Sequence, residues 1–308
     1  MSLSRSKRAK GGVAFRLTDR DGDILKAVNR YRYMRTGQIN RLLFQGNTST
    51  QSCQKRLKLL FHNGYLDRIE PFLQQGSTEQ SAGVAYRLDA KAVQYLTDFD
   101  IPIPYLTRKR RVKHQFLLHA LDLSEFRLHL ELAIEDTEAL LLRRFVPDFM
   151  QKEGAASLTG YRRYRLYDKI RDPVTGETVI FYPDAAFILQ SATSEAARLF
   201  FLEVDRGTEG LETIRRKLAA FHVYAAQGLF KKFGPYERFV VLFQTSTPKR
   251  AENMVRLVRE TVCQPTVLIT DHRQVTADSV LHQPIWRDKS GEPKSLVQPR
   301  KLAISAGA

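Results

Sequence analysis

Apolar positions in the first third of the chain recur at spacings of three and four residues, which is the period of amphipathic helices. Thr18 is a good N-cap for a first helix, whose apolar stripe continues to Tyr31. A second, short helix is predicted from about Thr36, and a third over residues 49–62. The Gln-Gly-Asn sequence at 45–47 predicts a tight turn between them.

The third predicted helix has one apolar and one polar face. Cys53, Leu57 and Leu60 occupy the inner face at spacings of four and three. Short amide and hydroxyl side chains interleaved with lysines on the outer face suit contacts to base edges and phosphates. A solvated surface or a protein-contact surface is the alternative interpretation. The candidate DNA-binding residues on this face are Thr50, Gln51, Gln54, Lys55 and Lys58.

Two strand patterns follow the third helix. Residues 65–68 and 84–88 flank a loop rich in Gly, Ser and Gln, and they predict a β-hairpin. Helices in a helix-turn-helix arrangement, followed by such a hairpin, are typical of winged-helix DNA-binding domains. The sequence therefore predicts a winged helix-turn-helix domain over residues 17–100, preceded by a loose basic arm at residues 1–16.

A basic, proline-containing segment separates two parts of the chain. Residues 101–113 contain two prolines, which favour an extended connector, and we place the predicted linker there. Its basic residues either contact a DNA backbone or form a solvated linker. The candidates for phosphate contact are Arg108, Lys109, Arg110 and Arg111.

Helix and strand patterns alternate through the second part of the chain. This alternation predicts an α/β sandwich with a central mixed sheet over residues 114–287, so that the whole chain is α+β. Residues 288–308 are predicted to be a flexible tail. The predicted strands are at 139–146, 181–190, 199–205, 238–244 and 266–270, and the predicted helices at 116–134, 208–224 and 249–262.

Carboxylates stand out in the two central apolar strands. Glu203 and Asp205 share one face of their strand, and Asp184 begins the strand before it. Because buried carboxylates side by side are costly, we expect a compensating partner, and a hard cation such as magnesium is the simplest. The alternative is structural: Asp205 caps the following helix, and Glu203 pairs with Arg206 or Arg215.

Charge is concentrated at the N-terminal end. The 308-residue chain has 43% hydrophobic residues, enough for a real core, and a formal net charge of +16. Residues 1–113 contain 22 Lys and Arg against nine Asp and Glu, whereas the remainder contains 27 against 24. A basic surface of this kind favours nucleic acid as the partner, bound mainly by the N-terminal part.

Several classes of protein are excluded by what the sequence contains. Cys53 and Cys263 are the only cysteines, so neither a disulfide framework nor a cysteine-based zinc site is expected. No apolar run approaches a membrane span, no signal-peptide core follows the basic start, and no P-loop motif occurs. The seven histidines contain no closely spaced pair of the relaxase kind. We therefore expect a cytoplasmic protein without a membrane partner.

Two known groups of proteins share sequence features with this chain. Pro183-Asp184 followed by Glu203-Val204-Asp205 on the next strand resembles the PD-(D/E)xK nuclease superfamily. The phrases FFLEVDRGTE and RRKLAAF, behind LTDRDGDILKAVNRYRYMRTGQINRLLF, resemble the replication-relaxation family of plasmid and mobile-element proteins. The similarity runs over about residues 17–245.

The resemblance implies a set of candidate catalytic residues. Asp184 and Glu203 correspond to ligands of Mg²⁺ or Mn²⁺, and Asp205 stands where active nucleases have lysine. Lys217, on the next helix, would be a migrated cation. Two functions follow: a metal-dependent DNA endonuclease, or a non-catalytic DNA-binding regulator with a degenerate nuclease fold. The expected partners are double-stranded DNA, replication or mobilisation proteins, and a second copy of the chain.

Overall fold

The structure is a computed structural model that describes residues 7–11, 13–44, 50–70, 83–105 and 112–297. Its internal contacts divide the chain into two compact units, the first ending at Leu128 and the second beginning at His129. Both helices and a large mixed sheet are present, so the predicted α+β class is confirmed.

The first unit contains a group of short helices and a small antiparallel sheet. The three predicted N-terminal helices are confirmed, and the two predicted strands of the hairpin pair with each other. A two-residue strand, which the sequence did not predict, joins them, and the sheet order is β1-β3-β2. The elements are α1 (Asp19–Tyr31), β1 (Met34–Arg35), α2 (Thr36–Leu43), α3 (Gln51–His62), β2 (Leu66–Ile69), β3 (Ala85–Leu88) and α4 (Ala90–Asp98).

Thr18 and Asp21 fix the start of α1. The Asp21 carboxylate accepts a hydrogen bond from the Thr18 backbone N–H at 2.8 Å, and the Thr18 hydroxyl accepts from the Asp21 N–H at 3.4 Å. This reciprocal capping box satisfies backbone donors that the first helical turn leaves free. Asp21 is also fully buried, and Arg56 of α3 donates to both of its carboxylate oxygens, so one carboxylate starts α1 and holds α3 against it.

The part of the basic arm that the structure describes is packed against the first unit. The Arg8 guanidinium donates to the carbonyl oxygens of Phe61 at 2.7 Å and Leu66 at 2.9 Å, and pairs with Asp89 at 2.8 Å. The Ala9 N–H donates to His62 Nδ1 at 3.0 Å. The expectation of a loose arm is therefore wrong at Arg8 and Ala9, because Arg8 donates to carbonyl groups of α3 and β2 and Ala9 donates to the His62 side chain.

The division between the units falls within a long helix, α5 (His114–Glu135), rather than in the predicted connector at 101–113. Leu117 and Leu121 of α5 pack with Tyr33 and Ala85 in a buried cluster of the first unit. Ser124 Oγ donates to the Tyr33 carbonyl oxygen at 2.9 Å. The first half of α5 thus completes the core of the first unit, a contact that helical periodicity alone does not reveal.

The second unit is built on a seven-stranded mixed sheet of order β12-β11-β10-β9-β8-β7-β4. Strands β8, β9 and β10 are parallel, and the other neighbours are antiparallel. A separate hairpin, β5 and β6, turns at the DPVTGE sequence of residues 172–177. The elements are β4 (Leu140–Pro147), β5 (Asp168–Arg171), β6 (Thr178–Phe181), β7 (Ala185–Ser191), β8 (Ala197–Asp205), α6 (Leu211–Ala226), β9 (Phe239–Thr245), α7 (Pro248–Glu260), β10 (Thr266–Asp271), β11 (Trp286–Arg287) and β12 (Pro293–Lys294).

Aromatic side chains dominate the core beneath α6. The Phe181 ring stacks on Tyr224 with centroids 3.7 Å apart, and Phe201 of β8 meets Phe221 and Phe239 at 5.9 and 4.9 Å. Phe201 lies on the face of β8 that also carries Glu203, as the two-residue period predicts. The core therefore sets the side of the sheet on which the acidic residues lie.

The predicted tail is ordered in its first part. Trp286 is fully buried, and its indole N–H donates to the Val280 carbonyl oxygen at 3.1 Å. Pro293–Lys294 pairs with Trp286–Arg287, so the ordered fold continues past residue 288, where the tail was predicted to start. Residues 298–308 lie outside the described part of the chain.

Candidate functional sites

The outer face of α3 is accessible as predicted. Thr50, Gln51, Gln54 and Lys55 are exposed and Lys58 is partly exposed, whereas Cys53, Leu57 and Leu60 are fully buried. Within the described ranges, neither Lys55 nor Lys58 forms an ion pair. Two lysine ammonium groups on this helix are therefore available to an anion.

A groove of about 530 Å³ runs between α3 and the β2–β3 hairpin. Arg68 and Tyr86, which are direct partners across the hairpin, line the side opposite α3. Thr36 and Val84 also line it. Arg68 was not among the predicted DNA-binding residues, although its charge and its place in a predicted strand were signals for it. The predicted residues that the structure brings together in this groove are Gln51, Gln54, Lys55 and Lys58.

Several predicted features lie outside the described residues. These are the turn at 45–47, the hairpin loop over 71–82 and the basic residues Arg108, Lys109, Arg110 and Arg111.

The predicted carboxylates of the second unit lie at one end of two paired strands. Ala185 and Leu202 are register partners in antiparallel β7 and β8, which places Asp184 opposite Glu203. One Asp184 oxygen accepts a hydrogen bond from the Val204 N–H at 2.7 Å. The side chain of Asp184 is thus held across the strand that carries Glu203.

Lys217 lies between two carboxylates. Its ammonium group is 2.9 Å from Glu203 Oε2 and 2.9 Å from Glu209 Oε2. Asp184 acts electrostatically on both Glu203 and Lys217. We call Asp184, Glu203, Glu209 and Lys217 the acidic cluster. Glu209 was not predicted, because it lies in the turn before α6, where a single glutamate gives no periodic signal.

The pKa values within the acidic cluster reflect burial and charge together. The Glu203 side chain is only 3% exposed, and this burial raises the pKa of its carboxyl group, against the opposing effect of the Lys217 charge. Burial lowers the pKa of Lys217, but Glu203, Asp184 and Glu209 outweigh it, so its pKa is raised and the ammonium form persists. Three carboxyl groups around one ammonium leave the cluster rich in negative charge.

Asp205 is part of a different arrangement, although it follows Glu203 by two residues. Arg250 of α7 donates to its two oxygens at 2.7 and 3.3 Å, and to the Glu209 carbonyl oxygen at 2.6 Å. The Gly207 N–H donates to Asp205 at 3.0 Å. Arg250 therefore neutralises the Asp205 carboxylate, whereas Lys217 is the cation paired with Glu203.

Two of the structural alternatives for these acids, the Asp205 cap and the Glu203–Arg215 pair, differ from the partners in the structure. Gly210, not Asp205, is the N-cap of α6. Glu203 pairs with Lys217, whereas Arg215 pairs with Glu212 at 2.9 Å. Lys217, predicted as a migrated cation, does reach Glu203.

The donor chemistry of Asp184 and Glu203 fits magnesium. Within the described residues, no group of three or more His, Cys, Asp or Glu side chains is placed to hold a metal ion. Mg²⁺ is, however, commonly bound by one or two protein carboxylates together with waters and substrate phosphates. Asp184, just before β7, and Glu203 of β8 supply two carboxylates of this kind, and a magnesium site here stays a prediction.

These features define an α+β protein with a basic helical unit and a second unit whose mixed sheet carries an acidic cluster. A sequence profile described as Replication-relaxation matches residues 25–235. Because this match covers more than half of the chain, the protein belongs to the replication-relaxation family, which confirms the resemblance and supports a role in replication or mobilisation. No curated protein and no solved structure matches the chain.

Among the described residues, no helix has the length and apolar character needed to cross a membrane.

Proposed function

We propose that the protein binds double-stranded DNA during replication or mobilisation of a plasmid or similar element, with the outer face of α3 as its reading surface. The observation that supports this most directly is the groove in which Gln54, Lys55 and Lys58 of α3 face Arg68 of the hairpin. Amides can read base edges and the cations can contact phosphates.

The chain order of the first unit agrees with a winged helix-turn-helix. Helices α1, α2 and α3 are followed directly by the antiparallel β2–β3 hairpin. In such domains the last helix enters the major groove. The concentration of basic residues in the N-terminal part supports the same partner, because phosphate neutralisation supplies most non-specific affinity.

A double substitution, Lys55→Ala with Lys58→Ala, tests this proposal. Duplex affinity should fall, and the slope of log affinity against log salt should decrease by about one for each phosphate contact that is lost. Fluorescence anisotropy of a labelled duplex over a salt series measures both quantities.

Lys26→Ala with Lys91→Ala is the matched control, because both lysines are exposed in the same unit but lie on α1 and α4. The control should bind as the wild type does. An unchanged salt slope in the Lys55/Lys58 variant, or an equal change in both variants, would overturn the assignment of α3.

A second candidate function is metal-dependent nicking of DNA by the second unit. The chain order α5, β4, β7, β8, α6, β9 is the one implied by the nuclease resemblance, with Asp184 before β7 and Glu203 on β8. Asp184 and Glu203 would hold Mg²⁺, which supplies charge neutralisation and activation of water when bound. Lys217 holds the Glu203 carboxylate in place, and the Val204 N–H orients that of Asp184.

Assays on supercoiled plasmid with Mg²⁺ or Mn²⁺ test this function. Nicking by the wild type should be lost in Asp184→Asn and in Glu203→Gln, which preserve side-chain shape. Nicking that persists in both variants argues against the site. Intact duplex binding with no nicking by the wild type favours the non-catalytic DNA-binding regulator instead.

A further inference from the structure

Four tyrosines of the second unit form one continuous aromatic group. Tyr161 and Tyr167 are stacked at 5.9 Å with rings inclined by 20°, and Tyr164 and Tyr182 are stacked at 5.9 Å with 26° between them. Tyr161 meets Tyr182 at 5.4 Å, which joins the two stacks. We call these four residues the tyrosine cluster.

The tyrosine cluster is only partly withdrawn from solvent. Tyr161 is 62% exposed, and its three neighbours in the cluster are partly exposed. Rings that serve only a core are normally buried, and a large exposed aromatic group marks a binding surface. The cluster thus presents one exposed ring, that of Tyr161, joined to three partly exposed rings, which distinguishes it from a single exposed aromatic residue such as Phe99.

Basic residues are interleaved with three of these tyrosines along the chain. Residues 151–170 contain five Lys and Arg against two Asp and Glu. The Arg163 guanidinium donates to the Leu158 carbonyl oxygen at 3.0 Å, which holds the loop in place. Arg162 and Lys169 are exposed and, in the part of the chain that the structure describes, form no ion pair. Their charges are available to a polyanion.

Tyr182 connects the tyrosine cluster to the acidic cluster. Its hydroxyl donates to the Asp148 carbonyl oxygen at 3.0 Å, and the Asp148 N–H donates to the Asp184 carbonyl oxygen at 2.8 Å. Tyr182 is also two residues before Asp184 in the chain. The aromatic surface is thereby anchored beside a predicted catalytic carboxylate.

We propose that the tyrosine cluster is a stacking platform for the bases of a single-stranded nucleic acid. Aromatic rings within a positively charged surface are the combination that binds unpaired strands, because every base has a face that can stack. This goes beyond the duplex binding assigned to α3, since it concerns another surface and an unpaired strand. The platform would hold a strand beside Asp184.

Binding of a labelled oligo(dT) of about 20 nucleotides to the full-length protein tests the platform. Fluorescence anisotropy should show about tenfold weaker binding for Tyr161→Ala, because one stacking partner is removed. Tyr161→Phe keeps the ring and should bind within about twofold of the wild type. Since Tyr161 is exposed, Tyr161→Ala should fold normally, and circular dichroism checks this.

Phe99→Ala is the matched control, because Phe99 is 63% exposed but lies in the first unit. The control and the Lys55→Ala/Lys58→Ala variant should retain oligo(dT) affinity, and Tyr161→Ala should retain duplex affinity. Wild-type oligo(dT) affinity in Tyr161→Ala, or an equal loss for duplex and single strand, would overturn the platform. Parallel titrations with oligo(U) distinguish DNA from RNA as the preferred strand.

Discussion

Glu203 and Asp205 lie on the same face of β8, yet their surroundings differ. Asp205 has a dedicated guanidinium, since Arg250 contacts both of its oxygens and each side chain is largely buried. Glu203 shares one ammonium with Glu209 and with the nearby Asp184. The Asp205 pair is balanced in charge, whereas the acidic cluster has an excess of carboxylates.

This difference separates a structural ion pair from a candidate site. The Asp205–Arg250 pair is balanced in charge and hydrogen-bonded, and it holds the turn before α6 in position. It therefore requires no further ion for charge balance. A cluster in which carboxyl groups with shifted pKa values outnumber the cations is more typical of a functional site. Binding of a cation or substrate there completes the charge balance. We therefore expect substitutions in the Asp205–Arg250 pair to lower the free energy of unfolding strongly, and neutralisation of Glu203 to lower it only weakly.

Arg250→Met should produce the largest loss of stability. It leaves the Asp205 carboxylate buried without its cation, and breaking a buried pair in this way costs about 3–5 kcal/mol. Urea unfolding followed by the fluorescence of Trp286, the single tryptophan and a buried residue of the same unit, measures the loss. Arg256→Met on the exposed side of α7 is the control and should change the free energy of unfolding by less than about 0.5 kcal/mol.

Neutralising the two carboxylates should give unequal effects. Asp205→Asn should cost about 2–3 kcal/mol, because the charged hydrogen bonds to Arg250 are weakened. Glu203→Gln should stay within about 1 kcal/mol of the wild type, because burial already disfavours the charged form of Glu203. The same unfolding assay measures both variants. Equal losses would show that the two carboxylates have the same structural role, and the distinction drawn above would be wrong.

Lys217→Met should produce a smaller, pH-dependent loss. Burial raises the pKa of Glu203 above its ordinary 4.5, so the folded protein holds this proton more tightly than the unfolded chain does. The protonated Glu203 therefore stabilises the folded state fully below pH 4.5, the ordinary pKa of a glutamate. This stabilisation is lost as the pH rises through the folded-state pKa, because the buried carboxyl group then becomes charged. Removing the Lys217 cation raises that pKa further.

We therefore expect the cost of Lys217→Met to increase by about 1–2 kcal/mol between about pH 5 and about pH 8. Urea unfolding of Lys217→Met and the wild type across this range measures the difference. Lys217→Met combined with Glu203→Gln should lose the pH dependence, because no titrating carboxyl group remains at position 203. A cost that falls with increasing pH would contradict the described role of Lys217.

Local patterns in the sequence were sufficient for much of the fold. The Thr18 cap, the apolar stripe of α3 and the strand that carries Glu203 were all predicted within about two residues of their observed positions. Their signals are local, because helix and strand periods determine which side chains share a face. Asp184 and Glu203 were expected together for the same reason, and antiparallel register places them opposite each other.

Contacts between distant residues were not predictable in this way. Nothing in the helical pattern of α5 indicated that Leu117 packs with Tyr33, so the contact-based division within α5 was not expected. Tyr161, Tyr164 and Tyr167 follow one another at a spacing of three, but their ring contacts with Tyr182 depend on how this loop folds back onto the residue that follows β6. Pairing of β11 with β12 likewise involves strands too short for a periodic signal.

Local sequence patterns were enough to predict the order of the main helices and strands, the polar face of α3, and the side of β8 on which Glu203 and Asp205 lie. The partners of these two carboxylates followed from the folded chain: Arg250, 45 residues after Asp205, pairs with Asp205, and Lys217, 14 residues after Glu203, pairs with Glu203. The physical reason is that backbone periodicity acts over a few residues, whereas charge compensation depends on which side chains packing brings within hydrogen-bond distance.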